Sequence, residues 1–336
     1  MKKRIEVVTA VIGAGAQVTG CRFGPDALID AGVVGALRGA GRDAFHDAGR
    51  GAVRDVSGGA DAGNAGNAAD KMAAVSAFMP RLADAVGGVV ANGSFPLVLG
   101  GDHSCAIGTW SGIADAWRAA GRIGLIWIDA HLDSHTPQTS PSQAPHGMPL
   151  AALLGHGLPA LTDLFDWRAK LLPEHVVVIG ARSYEAGEAA LLERIGVRVM
   201  TIDEVARRGL DACVAEAIRI ASRGTCGYGV SFDLDAIDPL DVAAVGSPAE
   251  RGIGAQTAVA ALRGFAGDPR LLGFELVEYN PERDDAARRD AGICCALLTA
   301  ALGSEFADSL ASESGSESAS VRVAGAEAQQ CTSLAA

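Results

Sequence analysis

Residues 123–133 read IGLIWIDAHLD, and no other stretch of the chain restricts its possible folds so tightly. Ile123, Leu125, Ile126 and Ile128 form an apolar, β-branched run without polar alternation, the pattern of a strand buried on both faces. The run then delivers Asp129, His131 and Asp133 at alternate positions, and alternate residues of an extended chain share a face. Three ionisable side chains therefore converge just past the strand's C-terminal end, where open α/β sheets bind ligands. Holding them beside a core is costly unless a cation compensates them. The stretch predicts half of a metal site.

The rest of the chain repeats this pattern. Apolar runs at residues 5–12, 96–99, 176–182, 197–203, 228–233 and 271–278 read as further strands. Helical spacing separates them, over 23–40 (with Pro25 at the start), 71–90 and 105–120. Strands alternating with helices imply a parallel sheet with right-handed crossovers. Residues 49–70, rich in Gly, Ala, Asn and Asp, are expected to form a surface loop. The glycine-rich 13–20 fails both nucleotide-loop templates, because Val18 replaces the third glycine of one and Cys21-Arg22 follows the other. It is expected to line a site beside the first strand. After Asp133 comes a long polar loop, 134–150, of the kind that carries binding residues on a rigid strand end.

Composition sets the class. Of 336 residues, 49% are apolar and 20% charged, as in a globular protein with a sizeable core. A net charge of −12 without a basic block argues against nucleic acid or an anionic membrane as partner. Seven cysteines at irregular spacing do not form a disulfide framework. No run of about 18 uninterrupted apolar residues is present, and Glu6 interrupts the signal-like start. A cytoplasmic protein is expected. Residues 1–303 read as one catalytic domain, and 304–336, rich in Ser, Ala and Glu, as a disordered tail.

His103, Asp129, His131, Asp133, Asp233 and Asp235 all follow apolar strands. Singly, each could be a cap, a turn residue or a hydrogen-bonded histidine. Together, four carboxylates and two imidazoles without thiolate suit hard-to-borderline divalent ions, and the count suits two ions with shared carboxylates. Zinc more usually takes fewer ligands, often with sulfur, so manganese is favoured.

The segments GGDHS, DAHLD, HGMPL, SFDLDAIDP and EYNP, with GCRFGPDALIDAG near the start, resemble those of the ureohydrolase (arginase/agmatinase) family over about residues 20–303. The resemblance implies a three-layer α/β sandwich around an eight-stranded parallel sheet. It implies two Mn2+ per subunit, one on His103, Asp129, Asp133 and Asp233, the other on Asp129, His131, Asp233 and Asp235. It makes His146 a proton shuttle and Glu278 the partner of a guanidinium, and a homotrimer or homohexamer the expected assembly. Within the family the loop over Thr136–His146 is closest to arginases, with Ser140 and Ser142 where these bind the α-carboxylate of the substrate. His135 stands where arginases carry asparagine, and Glu185 where they carry an aspartate near the α-amine. The expected reaction is hydrolysis of L-arginine to L-ornithine and urea. Hydrolysis of 4-guanidinobutanoate, agmatine or formimidoylglutamate is the enzymatic alternative, and a metal-free pseudoenzyme the non-enzymatic one.

Overall fold

The computed structural model describes residues 3–47, 52–54 and 67–303. Among these, nine strands form one sheet in which every pairing is parallel. In chain order they are β1 (Ile5–Val11), β2 (Ala44–His46), β3 (Ala52–Arg54), β4 (Phe95–Gly100), β5 (Ile123–Ile128), β6 (Val176–Ala181), β7 (Arg198–Thr201), β8 (Gly227–Asp233) and β9 (Leu271–Val277). The order across the sheet is β2-β1-β4-β9-β8-β5-β6-β7. β2 pairs with Ile5–Val7 and β3 with Thr9–Val11, so these two short strands lie end to end along the same edge of β1. The sheet is therefore eight positions wide, as expected.

Period-two alternation feeds two cores. Ile126 and Ile128 of β5 join Val177 and Ile179 of β6 on one face. Leu125 and Trp127 join Val176 and Val178 on the other. The first face is covered by helices Val33–Gly39, Leu210–Ala221, Ala255–Leu262 and Arg289–Leu302, the second by Ala68–Ala91 and Ala106–Trp117. This helix–sheet–helix layering is what makes the strands read as continuous apolar runs.

Helix Ala68–Ala91 is long and apolar enough, by length and composition, to cross a membrane. Its apolar residues Val75, Phe78, Met79, Leu82 and Val86 are instead buried in the second core. The fit against Ala106–Trp117 is close: a Cβ on Gly112 would stand 2.4 Å from the Ala83 carbonyl oxygen.

Two expectations need correction. The segment 23–40 is two helices, Gly24–Asp30 and Val33–Gly39, broken at Gly32 with a φ of +87°. A left-handed residue ends a helix, and glycine adopts that conformation without steric cost. Within the supposed loop over 49–70, β3 forms at 52–54, and a helix begins at Ala68 behind Asn67. The Asn67 Oδ1 accepts from the Ala69 and Asp70 N–H groups, at 2.9 and 3.1 Å. The rest of that stretch, like the tail at 304–336, lies outside the described residues.

The topology places the chemistry. β4, β9, β8 and β5 are neighbours at the sheet's centre. His103 follows β4, Glu278 follows β9, Asp233 and Asp235 end and follow β8, and Asp129, His131 and Asp133 follow β5. Four adjacent C-terminal strand ends thus deliver every ionisable group singled out above except His135, His146 and Glu185.

Candidate metal centre and substrate cavity

Around His103 the geometry is that of ligands facing a common point. Its Nδ1 lies 3.3 Å from Asp129 Oδ2, 3.1 Å from Asp133 Oδ2 and 2.9 Å from Asp233 Oδ2. Yet this fully buried nitrogen makes no properly aligned hydrogen bond. A buried nitrogen orphaned among three carboxylate oxygens fits a cation at their centre. The opposite nitrogen, Nε2, meets Ser231 Oγ at 3.0 Å, and that hydroxyl donates to Glu275 Oε2 at 2.7 Å. Such an outer hydrogen bond fixes which nitrogen faces a metal. The ring is also stacked on Trp127, with centroids 4.1 Å apart. The Trp127 indole in turn donates to Asp129 Oδ2 at 2.8 Å.

A second cluster joins the first through Asp129. His131 Nδ1 stands 3.5 Å from Asp129 Oδ1 and 3.1 Å from Asp235 Oδ2. Asp129, His131 and Asp235 could hold an ion, as could His103, Asp129, Asp133 and Asp233. Asp129 therefore belongs to both clusters, whereas Asp233 groups with the first alone, its Oδ1 accepting the Asp235 N–H at 2.8 Å.

Burial and mutual repulsion push these acids towards their neutral forms. Burial and the Asp129 charge raise Asp133 to about 6, and burial with neighbouring aspartates raises Asp233 and Asp235. For Asp129 burial acts in the same direction, but the adjacent His103 and His131 rings bring it well below its ordinary value. A divalent ion reverses this logic by supplying the missing positive charge. Asp133 holds its place with a φ of +47°, a left-handed conformation uncommon for a residue with a side chain.

Beside the clusters opens a cavity of about 150 Å3, lined by Asp133, His135, Ser142, His146, Glu185, Glu188 and Glu278 among others. Glu278 forms one wall, 2% exposed, with His146 Nδ1 3.2 Å from its Oε1. Burial disfavours the His146 charge, but the Glu278 hydrogen bond and nearby carboxylates outweigh it and lift the ring to about 9.

The substrate loop is arranged differently from expectation. His135 has no nitrogen free for a substrate carboxylate: Nδ1 meets Thr139 Oγ1 at 3.1 Å, and Nε2 meets Glu185 Oε2 at 2.9 Å. Ser142 lines the cavity, whereas Ser140 is buried and its Oγ accepts the Gln143 N–H at 2.9 Å. Glu188 went unnoticed in the sequence. It caps the helix Ala186–Ile195 jointly with Glu185, and burial raises its carboxyl to about 8. Its Glu-x-x-Glu spacing lacks the Ser, Thr, Asp or Asn that marks a capping box in a sequence, so little there could have signalled it.

The sequence model of the Arginase family matches residues 4–304. An arginase of Bacillus caldovelox is 42% identical over 233 residues, covering 69% of this chain and 77% of the relative. The solved structure of arginase from Bacillus caldovelox superposes with a TM-score of 0.80 at 36% identity, covering 91% of this chain and all of the other. That of Bacillus cereus arginase gives 0.80 at 34%, covering 90% and 99%. On the match over residues 4–304, the parallel sheet and the paired His/Asp clusters, the chain belongs to the arginase family.

Proposed function

We propose that this chain hydrolyses the guanidinium carbon of L-arginine, giving L-ornithine and urea, with two Mn2+ ions per subunit. The observation that carries the reading is the pair of His/Asp clusters sharing Asp129 and opening onto a cavity that ends at Glu278. His103, Asp129, Asp133 and Asp233 would hold one ion, and Asp129, His131, Asp233 and Asp235 the other. When bound, such a pair lowers the pKa of water and so supplies a nucleophile at neutral pH.

The protein's own groups do the rest. Glu278 offers its two carboxylate oxygens to the planar guanidinium, a geometry suited to bidentate pairing. Asp133 would hold the attacking water against that carbon. Water's oxygen bonds to the carbon, the bond to the side-chain nitrogen breaks, and the departing amine takes up both of water's protons, giving urea and an ammonium. His146, hydrogen-bonded to Glu278, is placed to hand a proton to that amine. Ser142 offers a hydroxyl to the substrate's carboxylate, with Ser140 bracing the loop 3.4 Å behind it. Glu188 and Glu185 face the α-amine.

One observation favours a second substrate, 4-guanidinobutanoate. The His135–Glu185 pair occupies a carboxylate that an α-ammonium would otherwise take, and this substrate has no α-amine. A homotrimer or homohexamer is supported by the family resemblance and is checked by sedimentation. The deciding experiment combines metal analysis of the purified protein with urea release from L-arginine, 4-guanidinobutanoate and agmatine. Two Mn2+ per chain with kcat/KM highest for L-arginine is the expected result. Agmatine as best substrate would refute the carboxylate-binding loop.

A further inference from the structure

The Glu278 carboxylate is held from behind by a cysteine. Cys21 is fully buried, and its Sγ lies 3.0 Å from Glu278 Oε2 and 3.4 Å from the Glu278 backbone oxygen. The other oxygen, Oε1, accepts the His103 N–H at 2.9 Å and faces His146 Nδ1. Gly246 closes the far side: a Cβ there would stand 3.1 Å from Cys21 Sγ and 2.9 Å from Glu278 Oε2. The thiol is thus wedged against the carboxylate in a slot with no spare room.

Its chemistry suits a donor. Burial, then the Glu278 charge, push the thiol pKa well up, so sulfur keeps its proton and is neither nucleophile nor metal ligand. Glu278 needs such a partner. The terminal torsion of a glutamate is soft and roughly two-fold, so its carboxylate plane is fixed only by what it touches. A guanidinium donates two parallel bonds only when both carboxylate oxygens lie near its plane. The backbone there is already strained, with φ at +65°, and its N–H is tied to Gly101 O at 2.8 Å.

We propose that Cys21 is a positioning residue for guanidinium recognition, its S–H fixing the rotation of the Glu278 carboxylate. The proposal rests on the reading of Glu278 as the partner of the guanidinium. Cys21→Val removes the donor but adds a methyl group to a tight slot. Cys21→Ala, which removes the donor without added bulk, is its control and should match it, whereas Cys21→Ser keeps a donor. For the full-length, metal-loaded enzyme, we expect Cys21→Val to raise KM about tenfold with kcat within about threefold, and Cys21→Ser to recover KM to within about threefold of wild type. Inhibition by L-ornithine, which lacks the guanidinium, should shift by less than about twofold in both variants. A wild-type KM in Cys21→Val, a serine variant no better than valine, or an L-ornithine inhibition constant that rises in parallel would each overturn the proposal. Glu278→Gln separates the two levels. If it leaves KM unchanged, or if wild type releases urea from no guanidino compound, the reading of Glu278 fails and the thiol's role with it. If Glu278→Gln is impaired while Cys21→Val is not, only the thiol's role is lost.

Discussion

Asp129 carries more of the site than any other side chain, because its two oxygens face different histidines, Oδ2 towards His103 and Oδ1 towards His131. Replacing it with asparagine removes one negative charge from both clusters, whereas Asp133→Asn touches the first alone. Metal per chain, measured after dialysis, should therefore fall at both positions in Asp129→Asn and at one in Asp133→Asn, with turnover down by at least about 100-fold in the former. Equal metal loss in the two variants would refute the sharing. The His135–Glu185 pair yields a second expectation. His135→Asn releases Glu185 for an α-ammonium, so the ratio of kcat/KM for L-arginine over 4-guanidinobutanoate should rise about tenfold. An unchanged ratio means that the pair does not read the amine. The residues of the proposed metal centre were legible in the sequence because strand alternation writes them at every second position, as in DxHxD. Cys21 was not, since it meets Glu278 across 257 residues and no local period encodes such a contact.

Strands flanked by two cores announce themselves, and β5 runs over Ile123–Ile128 as read from its apolar pattern. β2 and β3 did not, because three residues each on a sheet edge need neither a long apolar run nor alternation. Similarly, the break at Gly32 was hidden by apolar spacing that continues on both sides of it. Interactions among exposed elements are equally silent. β7 and the two helices after it, Ile202–Arg208 and Leu210–Ala221, are laced by Arg198, Glu204, Arg208 and Glu216. Hydrogen bonds from Arg198, then Arg208, outweigh the opposing effect of burial and hold Glu204 down at about 2, below its ordinary 4.5. A depressed folded-state pKa stabilises above the unfolded value and loses that effect as pH falls through the folded one. Glu204→Gln should accordingly lower the melting temperature by about 2 °C at pH 7, the modest scale of a partly exposed network. The gap to wild type should narrow below about pH 4.5 and close towards pH 2. A gap that persists at pH 2.5 would show that the glutamate acts through packing instead of charge.

At the scale of the whole molecule, the sheet, both cores and every group of the proposed site lie between Arg4 and Gly303. The last helix, Arg289–Leu302, completes the first core through Ala291, Cys294, Leu297, Leu298 and Ala301, all buried. Its C-terminal end is fastened back to the start of the fold, where Arg42 Nη1 donates to the Leu302 carbonyl at 2.9 Å and Nη2 to the Lys3 carbonyl at 3.1 Å. One guanidinium thus satisfies the closing carbonyl of the last helix and joins it to the approach to β1. The family match likewise ends at residue 304. Residues 304–336, outside the described part, carry few large apolar side chains, so little core energy can come from them. Ending the chain after Gly303 should leave the melting temperature within about 2 °C of wild type and kcat/KM within about twofold. Arg42→Ala in the same background should lower the melting temperature further, because it leaves the Leu302 carbonyl without its charged donor. If truncation alone abolishes activity or melts the protein early, residues beyond 303 dock on the body. Comparing sedimentation of the two forms then tells whether they dock within one chain or across a subunit boundary.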